Sequence, residues 1–254
     1  MNRLWERLLT LLYPHKCFCC GDLVPDAVYL CAVCEQALPL ASDCCANCGK
    51  PQSECICSRL SDHITRAAAP LFYQDGVRHG IHAFKYEGRS YYAQFLAQLM
   101  ADCVKERFCD VSFDLITYVP LHRRKKRQRG YCQTELLAQA LAKRLGVPVV
   151  GGLLRHTGKG HTQMQLHQIQ ARKENATLSF TIQKEVSLTG KRILLVDDVL
   201  TTGSTTASCA ALLKTLGAAE IFVVTAATVV RQKIAKSDKV VYNGQQKKSS
   251  EREL

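Results

Sequence analysis

The sequence has no long apolar run. An apolar stretch at residues 1–14 places leucines and Trp5 at helical spacing, but Glu6 and Arg7 interrupt it. The stretch is far shorter than the ~20 residues that a membrane-spanning helix needs, and no small-residue cleavage site follows it. We therefore expect neither a transmembrane span nor a signal peptide. The expectation is a cytoplasmic protein with a short amphipathic helix at residues 1–16, and contact of that helix with a membrane surface is the alternative.

Acidic residues are also scarce. The 254 residues contain 22 Asp and Glu against 34 Lys and Arg, which gives a formal net charge of +12. Such a surplus of positive charge favours polyanionic partners, either nucleic acid or phosphorylated substrates. Hydrophobic residues make up 47% of the chain, which is enough for a real core. We expect one large globular domain, or a smaller one with an accessory module.

Cysteine, in contrast, is abundant and clustered. Ten of the 14 cysteines lie between Cys17 and Cys57, where C-x2-C pairs begin at Cys17, Cys31 and Cys45. A C-x2-C turn directs two thiolates at one tetrahedral zinc ion, and two such turns complete a four-thiolate site. The spacing predicts a zinc-ribbon module at residues 17–60 whose folding depends on the metal. A disulfide cluster is the alternative, disfavoured by the lack of an export signal.

Two zinc sites are predicted within this module. The first consists of Cys17, Cys20, Cys31 and Cys34, and the second of Cys45, Cys48, Cys55 and Cys57. The second set ends in a C-x-C pair, which is less suited to a knuckle. Cys19 and Cys44 remain as spare or substitute ligands.

The clearest signal for chemistry lies at residues 193–216. An aliphatic run from Ile193 to Val196 predicts a buried parallel strand, which is expected to end on Asp197 and Asp198. A loop then opens a helix, and its small or hydroxyl-bearing residues are Thr201, Thr202, Gly203, Ser204 and Thr205. Backbone N–H groups at a helix N-terminus bind phosphate, whereas two carboxylates suit sugar hydroxyls or a divalent cation. A sugar phosphate satisfies both halves of the motif.

This motif resembles the binding motif for 5-phosphoribosyl 1-diphosphate (PRPP) in type I phosphoribosyltransferases. The resemblance implies that Asp197 and Asp198 hold the ribose hydroxyls and that the loop from Thr201 to Thr205 holds the 5′-phosphate. A hydrophobic strand followed by two acids and a threonine-rich cap also occurs without such a role in other α/β proteins.

A second candidate anion site is strongly basic. A predicted strand at residues 114–119 is followed by a loop that contains Arg123, Arg124, Lys125, Lys126 and Arg127. Loops at the carboxyl ends of parallel strands meet in one crevice, so we expect this loop beside Asp197. Its charge suits a pyrophosphate leaving group with Mg2+, a nucleic-acid backbone or merely solvent. Lys85, at the end of a predicted helix over 76–85, is placed either to reach a phosphate or to lie in solvent.

The remaining chain is expected to complete an α/β domain at residues 70–230. Residues 62–69 are interpreted as a junction, with the domain beginning near Pro70. Periodicity predicts helices over 92–103 and 134–145 and a strand over 219–225. The polar stretch 161–175 is expected to form a mobile loop or hood, and the tail at 231–254, rich in Lys, Ser and Gln, to be disordered.

Four features together resemble the ComF family, also called GntX-like, of competence-associated phosphoribosyltransferase homologues. They are the three cysteine knuckles, the RQRGYCQ string at 127–133, the VDDVLTTGST string, and the residues Thr162, Gln163, Leu166, Arg172 and Asn175. The resemblance implies a zinc ribbon fused to a type I phosphoribosyltransferase fold, a parallel sheet flanked by helices. It also implies DNA uptake and natural transformation, with PRPP and Mg2+, single-stranded DNA and a competence helicase or other DNA-uptake proteins as partners. Arg129 and Gln133 would line the site, while Cys132 stands where the family usually has Asn.

Two functions of different kinds fit these residues. In one, the protein is an enzyme that displaces pyrophosphate from PRPP, either within DNA uptake or on a nucleobase in metabolism. In the other, the pocket binds PRPP or nucleic-acid phosphate without turnover. No residue in the sequence identifies an acceptor base, so the sequence favours neither.

Overall fold

The computed structural model describes residues 14–57, 61–157 and 179–230. Most of the predicted helix at 1–16, the polar stretch 161–175 and the tail at 231–254 lie outside the described residues, as do Thr162, Gln163, Leu166, Arg172 and Asn175. Among the residues described, no helix is both long and apolar enough to cross a membrane.

A five-stranded parallel sheet forms the centre of the fold. Its strands are β1 (Arg66–Ala68), β2 (Leu71–Phe72), β3 (Leu115–Tyr118), β6 (Arg192–Leu200) and β7 (Glu220–Thr228), and they follow the order β1-β7-β6-β3, with β2 also paired to β7. Strands β6 and β7 occupy the centre, from Arg192 opposite Glu220 to Leu200 opposite Thr228. Both are largely aliphatic because helices cover both faces of the sheet.

Helices pack on both sides of this sheet. The helices of the described residues are α1 (Ala32–Gln36), α2 (Asp75–Tyr86), α3 (Tyr92–Arg107), α4 (Arg123–Arg129), α5 (Gln133–Leu145) and α6 (Ser204–Thr215). Buried side chains of α2, α3 and α5 form one core cluster with one face of the sheet, and those of α6 form a second cluster with the other face. Two further strands, β4 (Leu154–His156) and β5 (Phe180–Ile182), pair with each other in antiparallel fashion outside the main sheet.

The cysteine-rich segment packs against the first of these clusters. Phe18 is completely buried, and its ring lies edge-on to that of Tyr92 at 5.1 Å between centroids. The Tyr92 hydroxyl donates to the backbone oxygens of Lys16 and Cys17. The segment therefore shares its core with the α/β domain, which compensates for its own lack of aliphatic residues.

Three sequence-based predictions about local structure are wrong. Strand β6 continues through Asp197 and Asp198 to Leu200, because Val199 and Leu200 keep pairing with β7 after the acids. Strand β1 lies inside the predicted junction at 62–69, where a run of small residues is too short to show a period. The basic loop at 123–129 is helix α4, which His122 caps by accepting from the Arg124 N–H and which ends at Gly130 with a left-handed backbone.

Candidate functional site

The site is built at the carboxyl edge of the sheet, where β6 ends. Asp197 and Asp198 are both partly buried there, and the Asp198 N–H donates to Asp197 Oδ1 at 2.8 Å. Lys85, from the last turn of α2, places Nζ 2.9 Å from Asp198 Oδ2. Each partner of this ion pair is only 19% exposed, so the contact is better shielded from water than a surface salt bridge.

Ionisation of Asp197 is disfavoured by its surroundings. Burial, and next the neighbouring charge of Asp198, raise the pKa of Asp197 to about 8, although the Asp198 N–H and Lys85 act in the opposite direction. Asp197 therefore holds a proton at neutral pH. A ligand that donates hydroxyl hydrogens to this carboxyl group favours its ionised form and would lower that pKa.

The loop after β6 presents hydroxyl and backbone donors at the start of α6. Gly203 has a left-handed backbone with φ of +78°, which costs an L-residue free energy but not glycine. Thr206 Oγ1 donates to the Gly203 oxygen at 2.9 Å, and this hydrogen bond stabilises the turn. The exposed residues of the loop and of the first turn are Thr201, Thr202, Ser204 and Thr205. The first turn of α6 is thus an accessible set of anion donors.

The ends of α2 and α4 and the start of α5 form the wall of the site opposite the loop after β6. Arg129 donates to Gln133 Oε1 and to the Tyr86 hydroxyl, each at 2.8 Å, and its guanidinium lies 4.5 Å from the Tyr86 ring centre. Gln133 in turn donates to the Lys85 backbone oxygen at 3.4 Å. The structure thereby brings together Lys85, Arg129, Gln133 and Asp198. Tyr86 is a member of this wall that the sequence did not single out, since an exposed aromatic at a helix end carries no distinctive pattern.

Cys132, the departure from the family pattern, is buried just before α5. Its Sγ lies 3.2 Å from Thr134 Oγ1, and Thr134 Oγ1 donates to the Val119 oxygen at 2.7 Å. Cys132 is thus enclosed by the contacts that fix the start of α5.

Of the five predicted cations on helix α4, one forms an ion pair and four do not. Lys126 pairs with Glu135 at 2.8 Å, and this hydrogen bond raises the pKa of Lys126. The four other predicted cations, Arg123, Arg124, Lys125 and Arg127, are exposed, and their side chains form no hydrogen bond or ion pair within the part of the chain that the structure describes. These four charges are available to a polyanion.

The eight predicted zinc ligands form two compact groups. One contains Cys17, Cys20, Cys31 and Cys34, the other Cys45, Cys48, Cys55 and Cys57, and within each group the sulfur atoms all lie within 4.8 Å of one another. Four thiolates at such separations fit a tetrahedral zinc ion.

Backbone donors favour the thiolate of one cysteine in each group. Burial opposes ionisation of Cys45, yet N–H groups of Cys48 and Asn47 lower its pKa to about 6. Burial also opposes ionisation of Cys17, but the N–H groups of Cys20 and Cys31 outweigh burial and lower the pKa of Cys17 to about 7. The spare cysteines Cys19 and Cys44 belong to neither group, and burial raises the pKa of both. The donor sets therefore suit structural zinc.

Family comparisons match the cysteine-rich segment and the α/β domain separately. A profile for the phosphoribosyl transferase domain matches residues 134–252, and one for the double zinc ribbon domain matches residues 8–64. A crystal structure of adenine phosphoribosyltransferase is 21% identical and covers 59% of this chain and 75% of its own, with a TM-score of 0.36. Together with the parallel sheet, the domain matches define a type I phosphoribosyltransferase fold that carries an N-terminal zinc ribbon.

Relatives identify the family more narrowly. DNA utilization protein YhgH of Escherichia coli K12 is 31% identical over 220 residues, which cover 83% of this chain and 96% of the relative. Competence protein F of Haemophilus influenzae is 28% identical over 209 residues, covering 81% and 86% respectively. The chain belongs to this ComF family.

Proposed function

We propose that this protein binds PRPP, or a closely related ribose phosphate, at the carboxyl edge of β6 and acts in DNA uptake. The observation that carries the proposal is the placement of Asp197 and Asp198 directly before the accessible first turn of α6. Carboxylates accept hydrogen bonds from sugar hydroxyls, and the helix N-terminus binds a phosphate. A ribose 5-phosphate offers both groups on one small molecule.

The cations opposite the acids suit the diphosphate of PRPP. Lys85, near the end of α2, and Arg129, at the end of α4, lie on the same wall, and both carry charge that would offset negative charge developing on a leaving pyrophosphate. Mg2+ bound with the diphosphate would neutralise further charge, and Asp197 and Asp198 offer the carboxylate oxygens that this ion prefers. In this reading the Lys85 contact with Asp198 gives way when ligand enters, because the diphosphate competes for the ammonium group.

Single-stranded DNA is the second proposed ligand. The four exposed cations of α4 form a basic surface directly after β3, beside the same edge of the sheet. Relatives named for DNA utilization and for competence favour this use of the charge over a merely solvated helix. Under this proposal the protein works in the cytoplasm with a competence helicase or another DNA-uptake protein.

Titration calorimetry with PRPP and Mg2+, followed by an assay of pyrophosphate release with and without single-stranded DNA, tests the proposal. We expect binding by the natural protein and at least about tenfold weaker binding by Asp198→Asn, which loses one charged acceptor. Release that requires an acceptor would identify an enzyme, and binding without release a non-catalytic component. Absence of binding to PRPP and to ribose 5-phosphate alike would contradict the proposal.

A further inference from the structure

Lys50 is a buried lysine that none of the roles described above uses. It is 4% exposed and follows the third C-x2-C pair, Cys45 and Cys48, which belongs to the second cysteine group. Its Nζ donates to the backbone oxygen of Val229 at 2.7 Å and to that of Leu200 at 3.0 Å. A buried ammonium group requires such acceptors, because leaving it unpaired costs several kcal/mol. The two carbonyl contacts therefore hold Lys50 in a defined position.

The carbonyl groups that Lys50 contacts lie at the start of the loop from Thr201 to Thr205, called the phosphate loop below. Leu200 is the last residue of β6 and directly precedes Thr201, while Val229 follows the last residue of β7. The Leu200 oxygen also accepts from the Val229 N–H at 3.0 Å and lies 3.5 Å from Thr228 Oγ1. Lys50 thus joins the two central strands at the point where the chain turns toward Gly203.

The other end of Lys50 is held by the second cysteine group. The Lys50 backbone oxygen accepts from the Cys45 N–H at 2.7 Å, which closes the knuckle. Gly49 has φ of +65°, and a Cβ there would lie 2.7 Å from the Ala67 oxygen, so the knuckle lies directly against β1. The Ala67 N–H also donates to the Asn47 oxygen at 2.7 Å. The residues just before Lys50 are therefore bound to β1 of the sheet.

We infer that Lys50 is a positioning residue that ties the C-x2-C knuckle of the second cysteine group to the start of the phosphate loop. Phosphate affinity then depends on an intact second cysteine group. This inference rests on the proposed ribose-phosphate site. Its physical basis is that a phosphate cradle of backbone N–H groups works only when these groups are held in position, and small displacements weaken binding strongly.

Arg107 offers a matched control. From the end of α3 it donates to the backbone oxygens of Ala41, Ser42 and Cys44, so it also ties the cysteine-rich segment to the α/β domain through carbonyl groups. It does not contact the residues before the phosphate loop. Lys50→Met and Arg107→Met each remove one cation of this kind, but only the first removes the contact with Leu200.

The experiment compares the full-length natural protein, Lys50→Met and Arg107→Met in two measurements. Calorimetry with ribose 5-phosphate should show affinity lowered roughly 10- to 100-fold in Lys50→Met and unchanged in Arg107→Met. Hydrogen–deuterium exchange should show faster exchange at residues 200–206 in Lys50→Met alone. Equal affinity of Lys50→Met and the natural protein, or an equal loss in both variants, would overturn the inference.

Two further outcomes are covered by the same design. If Lys50→Met does not fold, Cys57→Ser opens the second cysteine group at an exposed position and should produce the same loss of affinity; unchanged affinity after loss of that zinc ion overturns the inference. If the natural protein binds neither PRPP nor ribose 5-phosphate, the proposed function fails, and the exchange rates at 200–206 still decide whether Lys50 positions the loop.

Discussion

The cysteine groups and the carboxyl edge of the sheet use their polar side chains in opposite ways. In the cysteine groups the four thiols of a set converge on one another, and backbone N–H groups favour the thiolate of one cysteine in each set. At the carboxyl edge, Asp197 is held beside Asp198 at the expense of its own ionisation, and the phosphate loop is left accessible. The first arrangement serves stability, and the second gives up stability for a binding site.

The comparison predicts that substitutions in the two regions differ in sign as well as size. Loss of a cysteine ligand should destabilise the protein, while loss of an edge carboxyl group should spare or even raise stability and weaken binding. Four predictions follow from the largest expected effect to the smallest.

Cys34→Ser should cause the largest loss in the free energy of unfolding. Cys34 is buried in the first cysteine group, so its loss removes a large share of the roughly 10 kcal/mol that a structural zinc site contributes. The matched control is Cys103→Ser, another buried cysteine, which lies on α3 outside both groups and should cost about 1–3 kcal/mol. Zinc content and thermal unfolding by circular dichroism provide the measurements. Equal costs, with unchanged zinc content in both variants, would contradict a metal role for Cys34.

Gly203→Val should lower affinity for PRPP by roughly 10- to 100-fold, because valine resists the positive φ that closes the phosphate loop. Gly146→Val is a suitable control, since Gly146 also has a positive φ and open space around it but ends α5. Both variants should lose similar stability, on the order of 1–2 kcal/mol. Calorimetry with PRPP separates them, and an equal loss of affinity in both would assign the effect to general strain.

Asp197→Asn should raise stability above neutral pH while weakening PRPP binding. The pKa of Asp197 is raised in the folded protein to about 8 from an ordinary value of 3.8, so the folded state binds more protons and the free energy of unfolding falls as pH rises between these values. The substitution removes this fall, and the variant should unfold at higher temperature than the natural protein at pH 8.

Asp114→Asn provides a control of opposite sign. The Arg192 N–H, and next Lys191, lower the pKa of Asp114, so this carboxylate adds stability above its ordinary pKa that is lost as pH falls through the lowered one. At pH 7 the Asp114 variant should therefore be less stable than the natural protein. Thermal unfolding from pH 4 to pH 9 measures both, and parallel profiles for the two variants would contradict the assigned cause.

The free cations of α4 should affect neither stability nor PRPP binding strongly. Neutralising Arg123, Arg124, Lys125 and Arg127 should flatten the salt dependence of single-stranded DNA binding by up to about three units, from a slope of roughly −0.7 per phosphate. Neutralising the exposed cations Lys105, Lys143, Arg144 and Lys191 is the control with equal charge change. Fluorescence anisotropy across salt concentrations measures the slopes; if the two variants behave alike, net charge and not α4 governs DNA binding.

The extent to which sequence alone predicted this molecule follows from how local each signal is. The two sets of cysteines and the strand, loop and helix around Gly203 depend on spacing within a few residues, so they could be predicted. The helical state of α4 could not, because seven mostly basic residues carry no apolar period, and its caps His122 and Gly130 become visible only once the chain is folded.

Long-range contacts were beyond the reach of the sequence. The ion pair of Lys85 with Asp198 joins residues from α2 and β6, and its geometry depends on how the two elements pack. Lys50 is the extreme case, since a lysine after a cysteine knuckle ordinarily lies in solvent, and only the fold shows it contacting Leu200. Such residues are found by looking for burial of a charge, not for a motif.

Hydrogen–deuterium exchange of the natural protein with and without PRPP and Mg2+ tests the central claim most directly. We expect slower exchange at residues 201–206 and at the facing residues 84–86 and 129–133, with no change in the first cysteine group. Protection confined to α4, or no protection at 201–206 despite binding, would place the ligand elsewhere and contradict a ribose-phosphate site at this edge.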